Sequence, residues 1–275
     1  MHRIEQRRDH IARNRGVLTI ATQTRPAPSA LDAGASDLHI RINPPTQGRL
    51  PNRQGLRALQ ATLPLTSDAI AASGAATLRV TGGMHLSVAF ALGAALPATK
   101  FGRVEVVDLT GEAWTSQDAD SAPLHEVATV DIDGEFDEQP GGRSRIAVFV
   151  SLTEHADTSA FRHLIDERPR YFTSAAHLSL TSGGRIQHHE AATLSMAVAN
   201  ELRRLSATSG RAEIHLAYHG PATLALLIGR QLNTLRTVIY EWDDPETSGP
   251  QYHPIITVQP GITAGPITRV HPSRG

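Results

Sequence analysis

Two short loops in this chain carry the residue types needed to hold an anion: Thr81-Gly-Gly-Met-His85 and Ala217-Tyr-His-Gly-Pro-Ala-Thr223. In the first, Gly82 and Gly83 let a ligand approach the backbone closely, and the free N–H groups of the helix start that follows favour phosphate. In the second, Gly220 and Pro221 shape the turn, Pro221 suits a first helical turn, and Tyr218 offers a face for base stacking. A lone glycine loop carries little information, because tight strand-to-helix turns need glycine for steric reasons alone. Here there are two, and they are related.

The segments Ala76–Leu96 and Ala212–Leu232 align without a gap. Ala76/Ala212, Ala89/Ala225, Gly93/Gly229 and Leu96/Leu232 are identical, and Leu78/Ile214, Val80/Leu216, Ser87/Thr223, Val88/Leu224, Phe90/Leu226 and Leu92/Ile228 keep class. Past a short deletion, Arg103, Val106 and Asp108 match Arg236, Ile239 and Glu241. A strand–loop–helix unit present twice suggests a pseudo-twofold cleft built for something anionic. Mid-helix Gly93 and Gly229 cost roughly 1 kcal/mol each against alanine. Close packing, of helix on sheet or of the two repeats on each other, is expected to offset that cost.

Other chemistry finds little footing. His188 and His189 are adjacent, diverge by about 100° on a helix and cannot chelate together; with Glu190 they read as a solvated helix start. The acidic residues of 131–138 alternate too irregularly for a calcium loop. There is no GxSxG, Walker A, HExxH or dinucleotide GxGxxG sequence. Lys100 is the only lysine, which makes a carboxylate–lysine nuclease core hard to build, and the absence of cysteine excludes disulfides and thiolate chemistry. No metal or cofactor is expected. Arg103 and Arg236 precede equivalent strands, at the sheet end away from the cleft, and read as structural. Arg79 and His215 lie mid-strand, facing either the cleft or the helix layer. Trp242, with Glu241 at the cleft-side end of its strand, is either core or a base platform.

The elements that must position these loops follow from pattern. Strands are expected over 37–43, 76–81, 103–109, 145–153, 177–181, 212–217, 237–242 and 253–258. Helices are expected over 54–63, 85–96, 159–167, 187–205 and 222–232. Strands alternating with helices indicate parallel βαβ units, and ligands of open parallel sheets bind at the carboxyl ends of the strands, where both loops lie. Residues 1–36 read as a loosely ordered segment, basic at first (Arg3, Arg7, Arg8, Arg13, Arg15) and, after a short apolar run over 17–21, rich in Pro, Ala, Ser and Gly. A first half over 37–130, an acidic boundary, a second half over 143–260 and a tail over 261–275 complete the division.

At 275 residues, 40% hydrophobic and 19% charged, the composition is that of an ordinary soluble globule. No apolar run approaches the roughly 20 residues of a membrane span, and no apolar region follows the N-terminal arginines as in a secretory signal, so no membrane partner and a cytoplasmic location are expected. A net charge of −1 argues against bulk binding of DNA or RNA. A small polyphosphate remains open to it, because a few arginines and backbone N–H groups suffice.

The stretch Ala212–Asn233, followed by Thr237-Val-Ile-Tyr-Glu241, Tyr252 and Pro254, resembles the C-terminal signature of SAVED domains: a small–aromatic–x–Pro turn, an Ala-rich helix ending Gly-x-x-Leu-Asn, a strand ending Tyr-Glu, then Tyr-x-Pro. The long helix from Gln187 and the strand ending Val150-Ser-Leu-Thr153 sit where the family has its corresponding elements. The resemblance is specific over 145–258 and, over 37–110, rests on the internal repeat. It implies an α/β fold of two fused pseudo-symmetric CARF-like, Rossmann-like halves, each a mainly parallel sheet flanked by helices. It also implies a sensor of a cyclic oligonucleotide second messenger, of cyclic oligoadenylate type, in CBASS or type III CRISPR anti-phage defence. Such sensors commonly self-associate on binding ligand and so activate a protease, nuclease or TIR-type effector. Segments 1–36 and 261–275 are too short for an effector domain, so the effector is expected on another polypeptide or in a longer parent protein.

On that resemblance the ligand would lie between the halves. The loops Thr81–His85 and Ala217–Thr223 would cradle phosphates, with Ser87 and Thr223 as equivalent hydroxyl donors and His219 in the second loop. Asn43, Ser151 and Thr153, at the ends of the first strands of each half, would complete the wall, and Tyr218 and Trp242 would stack adenines. Two other readings stand beside it. One is a ring nuclease that cleaves the same ligand, using His85, His219 or Thr153 to hold the attacking 2′-hydroxyl. The other is a structural subunit that recruits a partner protease or nuclease and whose pocket is vestigial.

Overall fold

The computed structural model describes residues 16–25, 36–43, 49–117, 126–137, 142–153, 156–181, 185–245 and 249–272. The arginines from Arg3 to Arg15, the Pro- and Ala-rich run 26–35, Pro44-Pro45, Asp118, Asp120, Glu138 and Ser182-Gly-Gly184 lie outside them.

The first half is built from β1 (Val17–Gln23), β2 (Leu38–Arg41), α1 (Arg53–Ser73), β3 (Thr77–Thr81), α2 (Leu86–Ala95), β4 (Arg103–Val107) and β5 (Ala113–Thr115). Its sheet has the order β2-β1-β3-β4-β5, parallel except for the last pair. Then follow β6 (Val127–Asp131), β7 (Arg145–Ser151), α3 (Ser159–Asp166), β8 (Ser174–Leu180), a 3₁₀ turn (His188–Glu190), α4 (Ala191–Thr208), β9 (Glu213–His219), α5 (Ala222–Gln231), β10 (Thr237–Asp243), β11 (Gln251–Val258) and β12 (Ile267–Val270). The second sheet has the order β12-β11-β10-β9-β7-β8-β6. Its inner five strands, β8-β7-β9-β10-β11, repeat the first sheet strand for strand, parallel through β10 and antiparallel at β11. The doubled sequence is thus a doubled fold.

Three expectations are corrected. Val17–Gln23, inside the segment read as loosely ordered, is a strand between β2 and β3, with Leu18, Ile20, Ala21 and Thr22 buried. Its short apolar run lies between arginines and a Pro-rich stretch, so local composition hides it; parallel neighbours on both sides hold it in place. Helix α1 runs on past Leu63 to Ser73, through Pro64, and stops at Gly74 in a left-handed conformation (φ 69°). Ser67 keeps this continuation packed, donating from Oγ to the Ala95 carbonyl at 2.8 Å. Strands β6 and β12 flank the second sheet, β6 pairing with β8 and β12 with β11.

Helix α2 is apolar all round, with every residue from Ser87 to Ala95 buried, as a helix enclosed on all sides must be. It packs on α5, its repeat counterpart, and one core takes side chains from both sheets and from α1, α2, α4 and α5. A second cluster, including Phe149, Phe161 and Tyr240, fills the space between α3 and the larger sheet. Among the described residues no helix is long and apolar enough to cross a membrane.

Candidate functional site

Because α2 and α5 lie side by side, the loops that begin them come together. A cleft of about 620 Å³ opens there, with Gly82, Gly83 and Met84 from the first loop and Pro221, Ala222 and Thr223 from the second. Leu152 and Thr153 after β7, and Val106 to Leu109 with Trp114 from the first half, form the walls, and Arg25, Arg185 and Ile186 complete them. The β3 loop turns at Gly82, whose φ of 105° suits glycine. Gly83 is different: a Cβ there would meet no atom of the described residues within 4 Å, so packing among them gives no reason for glycine at this place in the cleft.

Five expected residues therefore line one cleft: Gly82, Gly83, Thr153, Pro221 and Thr223. The others do not line it, and several serve the frame. His85 is buried; its Nδ1 lies 3.0 Å from Thr24 Oγ1 and its Nε2 3.0 Å from the Arg49 carbonyl, so the ring ties the end of β1 to the start of α1. Burial, and next the charge of Arg25, lower its pKa to about 4. Ser87 is fully buried and gives both its N–H and its hydroxyl to the Glu241 carboxylate, at 2.7 and 2.8 Å. Burial raises the Glu241 pKa, against the pull of the Ser87 donors and of Arg25, whose guanidinium is 3.8 Å away.

The stacking role expected of Tyr218 is corrected. Its ring is 1% exposed, packs edge-on to Phe90 at 5.4 Å, and donates its hydroxyl to the Pro221 carbonyl at 3.0 Å. Tyr218 is the buttress of the second loop, and its ring excludes a side chain at Gly220, where a Cβ would lie 2.7 Å from the phenol oxygen. Trp242, 37% exposed, lies under the Arg49 guanidinium at 5.1 Å and does not line the cleft. Ser151 is buried against His177, 2.7 Å from its Nε2, on the other face of the sheet from the cleft. His219 is exposed, its Nδ1 2.7 Å from the Thr153 hydroxyl, while Thr81, at the end of β3, and exposed Asn43, after β2, lie outside the cleft lining.

The residues that sequence reasoning missed are chiefly Arg25, Arg185 and Trp114. Arg25 has a clear origin. Ala21 pairs with Thr81 and Phe149 with Ala217, which are repeat equivalents, so Arg25 is the first-half counterpart of Thr153. Asn43, at the end of edge strand β2, was expected in that place; the apolar run 17–21 was the signal that a strand ending near Arg25 preceded it. Trp114 is 8% exposed and gives its indole N–H to Asp108 at 3.0 Å. Asp108 also accepts from the Thr110 N–H and hydroxyl and the Glu112 N–H, which lower its pKa against a desolvation that raises it. Among the described residues no group of three or more acidic or histidine side chains could hold a metal ion.

Away from the cleft, Arg236 pairs with Glu213 and Arg103 with Glu105, so both repeated arginines do structural work. Arg79 points outward to Glu105, whereas His215 is buried with its Nδ1 2.9 Å from the Tyr240 hydroxyl.

A family profile described as "SMODS-associated and fused to various effectors sensor domain" (SAVED) matches residues 58–258. Comparison with curated proteins gives no match. Among solved structures, the chain is similar to the Acinetobacter baumannii Cap4 SAVED/CARF-domain containing receptor with the cyclic trinucleotide 2′3′3′-cAAA, at 18% identity and a TM-score of 0.66, covering 90% of this chain and 52% of that one. The same receptor with 3′3′3′-cAAA gives 18% identity and a TM-score of 0.67 over 90% and 53% of the two chains. The Moraxella osloensis Cap4 SAVED/CARF-domain containing receptor gives 19% and 0.54 over 91% and 52%. The chain thus spans about half the length of the solved structures it matches. With two α/β halves repeated in sequence and fold, and the family profile covering most of both, this chain belongs to the SAVED family of sensor domains.

Proposed function

We propose that the cleft between α2 and α5 binds a cyclic oligonucleotide and that the protein is the sensing part of an anti-phage signalling system. The observation that carries this reading is the meeting of both repeated loops in one cleft, where helix starts, two arginines and a glycine without a steric role among the described residues come together. Helix N-termini and guanidinium groups favour phosphate. Met84, Leu109, Trp114, Leu152 and Ile186 supply an apolar wall for base faces. The solved receptors of the same fold carry cyclic trinucleotides of adenosine, which supports that ligand class here. Binding would be read out by an effector, in this polypeptide's parent or on another chain, through self-association of sensors.

Of the residues offered for ring cleavage, His85 is buried and held neutral, while Thr153 lines the cleft with exposed His219 at its hydroxyl. Sensing without turnover is our reading, and ring cleavage at Thr153 and His219 is the alternative that the recovered ligand decides. Isothermal titration of the protein with cyclic di-, tri- and tetra-adenylates, followed by chromatography of the recovered ligand, tests it. Saturable binding with intact ligand is expected. Absence of binding to the whole panel would overturn the reading, and linear product would replace it with the nuclease.

A further inference from the structure

The two repeated helix starts are filled differently. At α2, Glu241 reaches over from the end of β10 and accepts two hydrogen bonds from Ser87. A carboxylate of the protein itself thus occupies the place where a helix N-terminus would hold a phosphate. At α5, ten residues long, the N-cap Pro221 makes no side-chain capping bond. Thr223, the counterpart of Ser87, is 6% exposed, and among the described residues its Oγ1 is buried without a hydrogen-bond partner. Asp108, the counterpart of Glu241, is shorter by a methylene and is engaged by Thr110 and Glu112 of its own loop and by Trp114 of β5. A buried hydroxyl left unpaired is costly and calls for an explanation. Thr223 lines the cleft together with Arg25, Arg185 and Asp108.

We infer that the cleft has a single helix-terminal phosphate subsite, formed by the start of α5 and the Thr223 hydroxyl, and that Glu241 closes the equivalent position at α2. This rests on the cyclic-oligonucleotide reading and makes it directional. One phosphodiester of the ring sits on α5 and supplies the partner that Thr223 lacks, with Arg185 adding positive charge. The α2 side meets the ring with Gly82, Gly83 and Met84 and with an arginine, Arg25, that already faces Glu241 at 3.8 Å. A pseudo-symmetric fold therefore holds its ligand in one orientation.

The test is titration of cyclic tri-adenylates (2′3′3′ and 3′3′3′ linkages) into the unaltered protein and into Thr223→Val, Thr223→Ser and Ser87→Ala, with thermal unfolding of each. Thr223→Val keeps the branched shape and removes only the hydroxyl. It is expected to weaken binding at least tenfold while its unfolding midpoint stays level or rises, because an unpaired buried hydroxyl has been removed. Thr223→Ser should restore affinity to within about threefold. Ser87→Ala should lower the midpoint, through loss of a Glu241 partner, and keep affinity within twofold. Equal affinity of Thr223→Val and the unaltered protein would overturn the subsite and leave the sensor reading standing. So would an equal loss in Ser87→Ala, or a fall in both midpoint and affinity in Thr223→Val. No binding by the unaltered protein would overturn both.

Discussion

Gly93 and Gly229, the mid-helix glycines of the two repeats, each meet the backbone of the other's helix. A Cβ at Gly229 would come 2.5 Å from the Phe90 carbonyl oxygen, and one at Gly93 would strike the Leu226 carbonyl oxygen. The halves thus join by a reciprocal contact of helix backbones, tight enough to bring both helix starts into one cleft. In an ordinary helix, glycine to alanine gains roughly 1 kcal/mol. Here Gly93→Ala and Gly229→Ala are each expected to lose about 1–3 kcal/mol through overpacking, read as a lower urea midpoint. A gain in either variant would show that the helices do not touch.

Arg230 ties the halves at the opposite end of the same helices. It extends from α5 and donates to the carbonyls of Leu96 (2.6 Å), Phe101 (3.1 Å) and Gly102 (3.0 Å), completing the C-terminus of α2. The side chain is buried, and burial lowers its pKa to about 10, so it is charged at neutral pH. Arg230→Met should destabilise by about 3 kcal/mol in urea unfolding, because two buried acceptors and a part-buried one lose a charged donor. Arg230→Lys should recover only part of the loss, since an ammonium lacks the planar fork.

His85 makes stability depend on acidity. With its pKa lowered from 6.5 to about 4, the folded protein binds fewer protons than the unfolded chain between those values. Stability from this site is complete above pH 6.5 and declines as the pH falls towards 4, by about 3 kcal/mol in all. His177, His215 and His271, whose pKa values burial also lowers, add to the same trend. His85→Gln, which retains an amide donor for the Arg49 carbonyl, should give a shallower decline than the unaltered protein. The difference is measured by urea unfolding at pH 7, 6, 5 and 4.5, and parallel profiles would contradict it.

Gly83 separates folding from binding. Its φ is ordinary and a Cβ would meet no atom of the described residues within 4 Å, so Gly83→Ala should unfold at the same temperature as the unaltered protein. The added methyl projects where a ligand would approach the backbone, and cyclic tri-adenylate affinity should fall at least tenfold by titration calorimetry. Unchanged affinity would remove this loop from the binding surface.

Much of this protein was legible in its sequence because the repeat is local. Alternating strands, an all-apolar helix and a paired glycine loop are written in contiguous residues, and Gly93 and Gly229 announced a close contact by breaking helix propensity. The SAVED signature over 145–258 lay in one stretch for the same reason. Tertiary structure alone decided the rest. Whether Ser87 and Thr223 meet a ligand or the protein depends on Glu241, 154 positions away from Ser87 in sequence. Tyr218 became a buttress rather than a stacking surface because Phe90 of the other half packs against its ring. Arg25 became a cleft residue because β1 is held by neighbours on both sides, which composition cannot record. Local pattern fixes which residues share a strand or a helix, while the partner of a buried polar group is set by what packs opposite it.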